Sequence, residues 1–269
     1  MGISAHNSVN TPNLIDSHCH IVFRNFEDDL DQVAQRWRSA GLVGLLHACV
    51  EPAEIPAIRG LADRFPELRY SVGVHPLDTK HWDDSTVQVL RDAALEDARV
   101  VAIGELGLDL FRDSNLEEQL DVLRAQLDLA LELDLPVIIH CRDAADAMIQ
   151  ELDARSSSGQ CPRGVMHCWG GTPSEMRRFI EFGFYISFSG IVTFPKAELV
   201  HQCVREVPAD RFLVETDCPF LAPVPCRGKR NEPSYVEFVA RKVADLREEP
   251  FEVVAEKSTE NARTLFGLP

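Results

Sequence analysis

Five segments of the chain end in side chains able to hold a divalent cation. They are Asp16-Ser17-His18-Cys19-His20, Gly104-Glu105, His140-Cys141, His167-Cys168 and Glu215-Thr216-Asp217. Imidazole with carboxylate suits zinc, manganese or iron, whereas magnesium prefers a shell richer in oxygen. In a strand, residues two apart point to the same face. His18 and His20 therefore project together as a chelating pair, with Cys19 turned away. One H-x-H alone is equally consistent with surface or core histidines. The other positions add weight: Val101, Ile103 and Glu105 share a face, as do Ile138 with His140, Val165 with His167, and Leu213 and Glu215 with Asp217. Each row of inward apolar residues ends in a group that needs a partner once buried. A structural polar residue at a sheet rim is the plainer reading of any one of them. Five together point to one centre, and a cation that lowers the pKa of water towards 7 would make that centre hydrolytic.

Strand ends scattered over some 200 residues meet only if their strands share a sheet. Apolar runs at Leu14–His18, Leu42–Cys49, Tyr70–His75, Val100–Glu105, Pro136–Cys141, Gly164–Cys168, Phe184–Phe188 and Phe212–Asp217 read as eight strands. Helical patterns lie between them, at Glu27–Ser39, Ala53–Arg64 and Leu116–Leu133 among others. The last has apolar residues at Leu116, Leu120, Leu123, Leu127, Ala130 and Leu131, the helical period. Ser114 with Glu117 gives it a capping-box start, and Pro136 ends the pattern. Eight strand–helix units without a break in composition predict a single-domain α/β protein, a TIM-like (β/α)8 barrel. A doubly wound open sheet would spread the same side chains along one edge.

The chain has 269 residues, 45% of them hydrophobic, enough to bury one substantial core. Met1–Pro12 is polar and reads as a flexible leader without a secretory signal, leaving residues 13–269 as the barrel. No apolar run reaches the length of a membrane span. The eight cysteines include no C-x-x-C pair, so they read as reduced thiols of a cytoplasmic protein. A net charge of −16 opposes surface-wide binding of nucleic acid but permits a local basic groove. Arg227, Lys229 and Arg230 form the densest basic cluster near a candidate ligand.

The motifs DSHCH (Asp16–His20), GVHP (Gly73–Pro76), GELGLD (Gly104–Asp109), HCRDA (His140–Ala144), HCWGG (His167–Gly171), YISFSGIVTF (Tyr185–Phe194) and ETDCPFLAPVP (Glu215–Pro225) occur in this order. With them the chain, from about Asn13 to Leu268, resembles the TatD-type metal-dependent hydrolases of the amidohydrolase superfamily. The resemblance implies a TIM-like barrel and a centre of two divalent ions, zinc, manganese or magnesium. His18, His20 and Asp217 would hold one ion, His140 and His167 the other, and Glu105 would bridge them. Asp217 would also accept the proton of the attacking water. Ions about 3.5–4 Å apart clamp the attacking oxygen and the developing charge in such centres. Where the family usually reads VPHRGK, this chain has Val224-Pro225-Cys226-Arg227-Gly228-Lys229, so whatever that histidine contacts is lost or replaced.

Around this core, His75 and Arg142, each at or just past a strand end, and Arg227 and Lys229, in the loop after Asp217, are candidate substrate contacts. Glu215, one step deeper than Asp217, could orient a liganding imidazole or form a buried ion pair. His47 sits inside an apolar run and reads as core. The leading functional reading is a phosphodiesterase: a deoxyribonuclease with 3′-to-5′ exonuclease action on short or single-stranded 3′ ends. It needs no membrane and no obligate protein partner. A second reading keeps the centre but cuts an amide or ester, such as an aminoacyl-tRNA linkage; Arg142, Arg227 and Lys229 converging on the centre would favour phosphate. A third is a non-catalytic metal-binding protein, which metal-free purified protein or a mouth plugged by the leader would favour.

Overall fold

A computed structural model describes residues 13–269, and the leader expected over Met1–Pro12 lies outside them. Eight parallel strands follow one another round one sheet in chain order: β1 Leu14–Cys19, β2 Leu42–His47, β3 Leu68–Val72, β4 Val100–Asp109, β5 Val137–Arg142, β6 Gly164–Met166, β7 Tyr185–Phe188 and β8 Phe212–Val214. The helices are α1 Leu30–Ser39, α2 Ile55–Arg64, α3 Thr86–Glu96, α4 Leu116–Glu132, α5 Ala145–Ser157, α6 Pro173–Glu181, α7 Glu198–Glu206, α8 Val236–Arg247 and α9 Phe251–Phe266. This is a single α/β domain whose nearly closed barrel is TIM-like.

Side chains, more than backbone, stitch the seam between β1 and β8. A lone bridge pairs Cys19 with Cys218. Beside it Thr216 donates from its amide (2.8 Å) and hydroxyl (2.6 Å) to the Asp16 carboxyl, and Ser17 Oγ donates to the Val214 carbonyl (3.0 Å). Asp16 is wholly buried, which pushes its carboxyl up to about 8 against the pull of the Thr216 bonds. It is thus a structural link.

Ile15, Leu46, Ala102, Ile138, Val165 and Leu213 fill the barrel interior towards the strand N-termini, where Ala262, Leu265 and Phe266 of α9 plug it. The α9 residues Ser258 and Asn261 satisfy backbone groups of β8 directly: Ser258 Oγ accepts from Val214 N and Asn261 Nδ2 donates to Phe212 O. With one end sealed, the strand C-termini are left as the open face, where barrel enzymes place their sites.

Several element boundaries differ from those the sequence suggests. Strands β6 and β8 stop three residues in, short of Cys168 and Asp217. Both of those residues take left-handed backbone (φ 48° and 56°), which leaves the ladder. The freed amides bond elsewhere: Cys168 N to Glu215 Oε1 (2.7 Å) and Asp217 N to His18 O (2.9 Å). Helix α1 starts at Leu30 rather than Glu27, because Asp29 is its N-cap and its carboxylate is drawn to Arg230 and Arg36. Helix α2 starts at Ile55, after a short 3-10 turn at Pro52–Glu54. The capping box expected at Ser114 and Glu117 does not form. Asp113 Oδ1 takes the Asn115 amide (2.9 Å), and the N-cap of α4 moves to Asn115. The capping box that does form joins Thr172 and Glu175 at the start of α6.

Candidate metal centre

Strand β4 sets the centre. The face expected for Val101, Ile103 and Glu105 is not continuous: Ile103 packs outward among the helices, whereas Val101 and Ala102 pack in the barrel interior. Ile103 pairs with Val137 and Leu106 with Ile139. Gly104 and Glu105 therefore stand together opposite Ile138, one residue more than its partner strand. This bulge returns Glu105 to the inner face in mid-strand, not at the strand end. Gly104 has φ 142° and lies so close to β5 that a Cβ would sit 2.7 Å from the Ile138 carbonyl. Only glycine allows that approach. A second bulge in β1 sets Ser17 and His18 against Leu46, since Asp16 pairs with Leu45 and Cys19 with His47.

The six expected ligands come together, with Glu105, 3% exposed, at their middle. Its Oε2 lies 3.3 Å from His18 Nε2 and 3.7 Å from His20 Nε2. Its Oε1 lies 3.0 Å from His140 Nδ1 and 2.9 Å from His167 Nε2. Asp217 Oδ1 stands 3.4 Å from His20 Nε2 and 3.7 Å from His18 Nε2. Imidazole nitrogens also crowd one another, at 3.1 Å between His18 and His20 and 3.3 Å between His140 and His167.

These residues fit a cation, as the far nitrogens show. His20 Nδ1 bonds the Ala48 carbonyl (3.0 Å) and His140 Nε2 bonds Asp109 Oδ2 (3.0 Å). In the neutral ring each far nitrogen carries the proton, which leaves the inward one as a lone pair for a cation. His167 Nδ1 lies 3.4 Å from Glu215 Oε1, within contact but off the line of a good hydrogen bond. Glu215 thus sits where it could orient a liganding ring.

Electrostatics agree. Burial alone would raise Glu105, yet the charges of His167, His75 and His18 and the bond to His140 hold it well below the usual carboxylate range. Burial pulls His167 down, but Glu105 and Glu215 lift it well above the usual histidine range. Burial and the His167 charge lower His18. The cluster concentrates negative potential that positive charge must satisfy.

The remaining candidates divide. His75 is beside the centre, its Nε2 3.4 Å from Glu105 Oε1. Its Nδ1 accepts from Leu77 N (3.1 Å), so in the neutral ring Nε2 carries the proton and donates inward. Arg142 lines the cavity, its guanidinium 3.9 Å above the Phe111 ring. Arg227 and Lys229 do not line it. Arg227 is drawn over the Phe194 ring (3.9 Å), and Arg230 is tied to Asp29 and Phe26. Of the three basic residues expected at the centre, the cavity wall therefore receives one. His47 is buried and accepts from Val22 N, a core histidine.

The cavity over the centre has a volume of about 1220 Å³. It includes residues that the sequence reading passed over. Asp109 holds His140, and its place two and four residues after Gly107 and Glu105 on one strand face was the available signal. Arg112 joins Arg142 on one wall; Phe23, Phe220 and Leu221 form another. From α4, Gln119 accepts from the Asp109 amide and Gln126 bonds both backbone groups of Val74, next to His75.

The profile of a family described as TatD related DNase matches residues 15–267. The chain is 37% identical over 256 residues to the uncharacterized metal-dependent hydrolase YabD of Bacillus subtilis, across 95% of this chain and 99% of that protein. It is 36% identical over 263 residues to the 3′-5′ ssDNA/RNA exonuclease TatD of Erwinia billingiae, across 95% and 100%. The crystal structure of the TatD homolog YjjV from Escherichia coli K12 matches with a TM-score of 0.89 and 31% identity, covering 95% of this chain and 98% of that one.

Proposed function

This chain belongs to the TatD-related DNase family and is a metal-dependent hydrolase, and from that premise we propose that it is a phosphodiesterase, a deoxyribonuclease that removes nucleotides from single-stranded 3′ ends. Glu105 carries the proposal. Its two oxygens face two separate groups of imidazoles, Oε2 towards His18 and His20, Oε1 towards His140 and His167. His18, His20 and Asp217 would hold one divalent ion, His140 and His167 a second, with Glu105 between them. The donor set suits zinc or manganese better than magnesium.

Such ions, when bound, supply Lewis acidity to a phosphoryl oxygen and bring the pKa of water towards 7. The chain supplies the rest. Asp217 accepts the proton of the attacking water on its carboxylate. Burial would raise that carboxyl, but the bond to His20 and the charges of His18 and His167 hold it low, so it stands ionised and ready. His75 donates its Nε2 hydrogen to a phosphate oxygen. Arg142 meets the phosphate of the adjoining nucleotide. The relative from Erwinia billingiae is named a 3′-5′ ssDNA/RNA exonuclease, which supports a single-stranded phosphodiester substrate here.

The test is a screen of metal-reconstituted protein against phosphodiester, phosphomonoester, ester and amide substrates. Nucleotide release from single-stranded DNA should fall by about 10²–10⁴-fold in Asp217→Asn and be lost in His140→Ala. Full activity in either variant overturns the mechanism. An ester such as an aminoacyl-tRNA linkage is the second reading, favoured by the position of Arg227 and Lys229 away from the cavity wall. Faster turnover of esters than of phosphodiesters would establish it.

A further inference from the structure

Of the chain's 14 phenylalanines only two are exposed, Phe220 at 52% and Phe111 at 60%, and no tryptophan or tyrosine is. Phe220 lines the cavity over the metal centre, and Phe111 lies just beside it, between Leu110 and Arg112 and against Arg142, which do line it. Phe220 follows β8 and lines the cavity wall; its ring lies 6.1 Å from Phe23 and 6.3 Å from His20, which itself stacks on Phe23 at 5.1 Å. Phe111 follows β4 and carries the Arg142 guanidinium on its face at 3.9 Å. In a ring of eight strands, the β8–β1 seam and the β4–β5 pair lie on opposite sides. The two aromatic surfaces therefore flank the cavity from opposite sides.

We propose that these are two base-stacking platforms, Phe220 with Phe23 on one side and Phe111 with Arg142 on the other, which hold the nucleosides flanking the phosphodiester that is cut. The inference rests on the phosphodiesterase reading and gives it a selectivity. A ring face is worth exposing to water when a flat partner covers it, and nucleobases stack on aromatics with little regard to sequence. The guanidinium over Phe111 adds a cation–π face and a charge for the phosphate of the adjoining nucleotide. Bases in a duplex already stack on their neighbours and pair across the helix, so only unpaired ends can use both platforms. Single-strand selectivity follows from the rim, while the centre itself is indifferent to pairing.

The probe is a phosphorothioate-linked hexathymidylate, which resists hydrolysis, with binding followed by fluorescence anisotropy on the metal-reconstituted protein. Phe220→Ala and Phe111→Ala should each weaken binding by at least about fivefold, the lower end of one lost stack, while Phe220→Trp binds as the wild type does. A strand abasic at its last two 3′ positions should bind the wild type weakly and lose nothing further on either substitution. With ordinary hexathymidylate the alanine variants should raise KM and leave kcat within about twofold, as expected of ground-state contacts. Both side chains are exposed, so neither substitution opens a core cavity. Unchanged binding in the alanine variants, or an equal loss with the abasic strand, overturns the platforms even if the strand is cut. Failure of the wild type to cut ordinary hexathymidylate overturns the phosphodiesterase reading, whatever the platforms bind.

Discussion

Each imidazole at the centre has two nitrogens with different tasks, and the partner of the far one decides what the near one can do. For His20 that partner is a backbone carbonyl, which substitution cannot remove. For His140 it is the Asp109 carboxylate at 3.0 Å, and this makes a sharp experiment. Asp109 is itself fixed: Gln119 accepts from its amide, and its Oδ1 accepts from Phe111 N and Arg112 N. Asp109→Asn keeps the shape but can place an amide hydrogen against His140 Nε2, which favours the wrong tautomer. Metal affinity should fall by about 10–100-fold, the usual cost of losing such a support, with little change in the denaturation midpoint of the metal-free protein. Calorimetric titration with zinc or manganese measures it; unaltered affinity would show that Asp109 does not orient the ring. His75 makes the complementary case. Because Leu77 N occupies its Nδ1, it enters the site as a donor, and His75→Phe should impair substrate turnover while leaving metal affinity near the wild-type value.

Among the elements, strand parity was readable wherever the strands are regular. Ile138 with His140, Val165 with His167, and Leu213 with Glu215 follow the alternation that their sequence predicts, and the barrel follows from eight such units. Parity fails at β4 and β1, where one extra residue reverses the alternation before Glu105 and before His18. A bulge is a relation between two strands, and no single segment records it; Gly104 alone hinted at the close approach. The starts of α1 and α2 and the cap of α4 differ from expectation, although α4 itself starts at Leu116 as expected; a cap depends on which acceptor is in reach. At α4 Asp113 takes the Asn115 amide, the N-cap falls on Asn115 and the Ser114 hydroxyl caps nothing, so Ser114→Ala should change stability by less than about 0.5 kcal/mol. At α6 the Thr172–Glu175 box is formed, and Thr172→Ala should cost about 1 kcal/mol. Urea denaturation of the two variants separates the cases. The α3–β4 corner gives a pH signature away from the centre. Asp97 accepts from Arg99 Nε (2.8 Å), Nη2 (2.6 Å) and amide (2.9 Å) and from the Tyr70 hydroxyl (2.8 Å). Chiefly through Arg99, its carboxyl is held well below the usual range. A depressed folded-state pKa stabilises above the unfolded value of about 3.9 and loses that contribution as pH falls below it. Asp97→Asn should therefore cost about 2 kcal/mol at pH 7, and the gap to the wild type should narrow towards pH 3.

At the scale of the molecule, a protein of net charge −16 repels the polyanion it is proposed to cut, and the cavity mouth only partly offsets this. Arg112 and Arg142 stand on its wall, but so do Asp78, Asp143, Asp146 and Glu175. The cluster at Arg227, Lys229 and Arg230 is not on that wall, and Arg230 is already committed to Asp29. A strand end can reach the centre with about two phosphates neutralised; a long duplex lying across the mouth would meet mostly acid. Affinity should then come from stacking and from the centre, with little from counterion release. For single strands the slope of log K against log salt is about −0.7 per neutralised phosphate, which gives about −1.4 here. Between 50 and 200 mM salt the hexathymidylate should weaken by less than about tenfold, where a basic groove making 6–10 contacts would lose about 10³–10⁵-fold. Strands of about 20 nucleotides should bind no tighter than the hexamer. A slope steeper than about −3, abolished by Arg227→Ala with Lys229→Ala, would instead mean that the loop after β8 swings its charges onto the strand and that recognition extends beyond the rim.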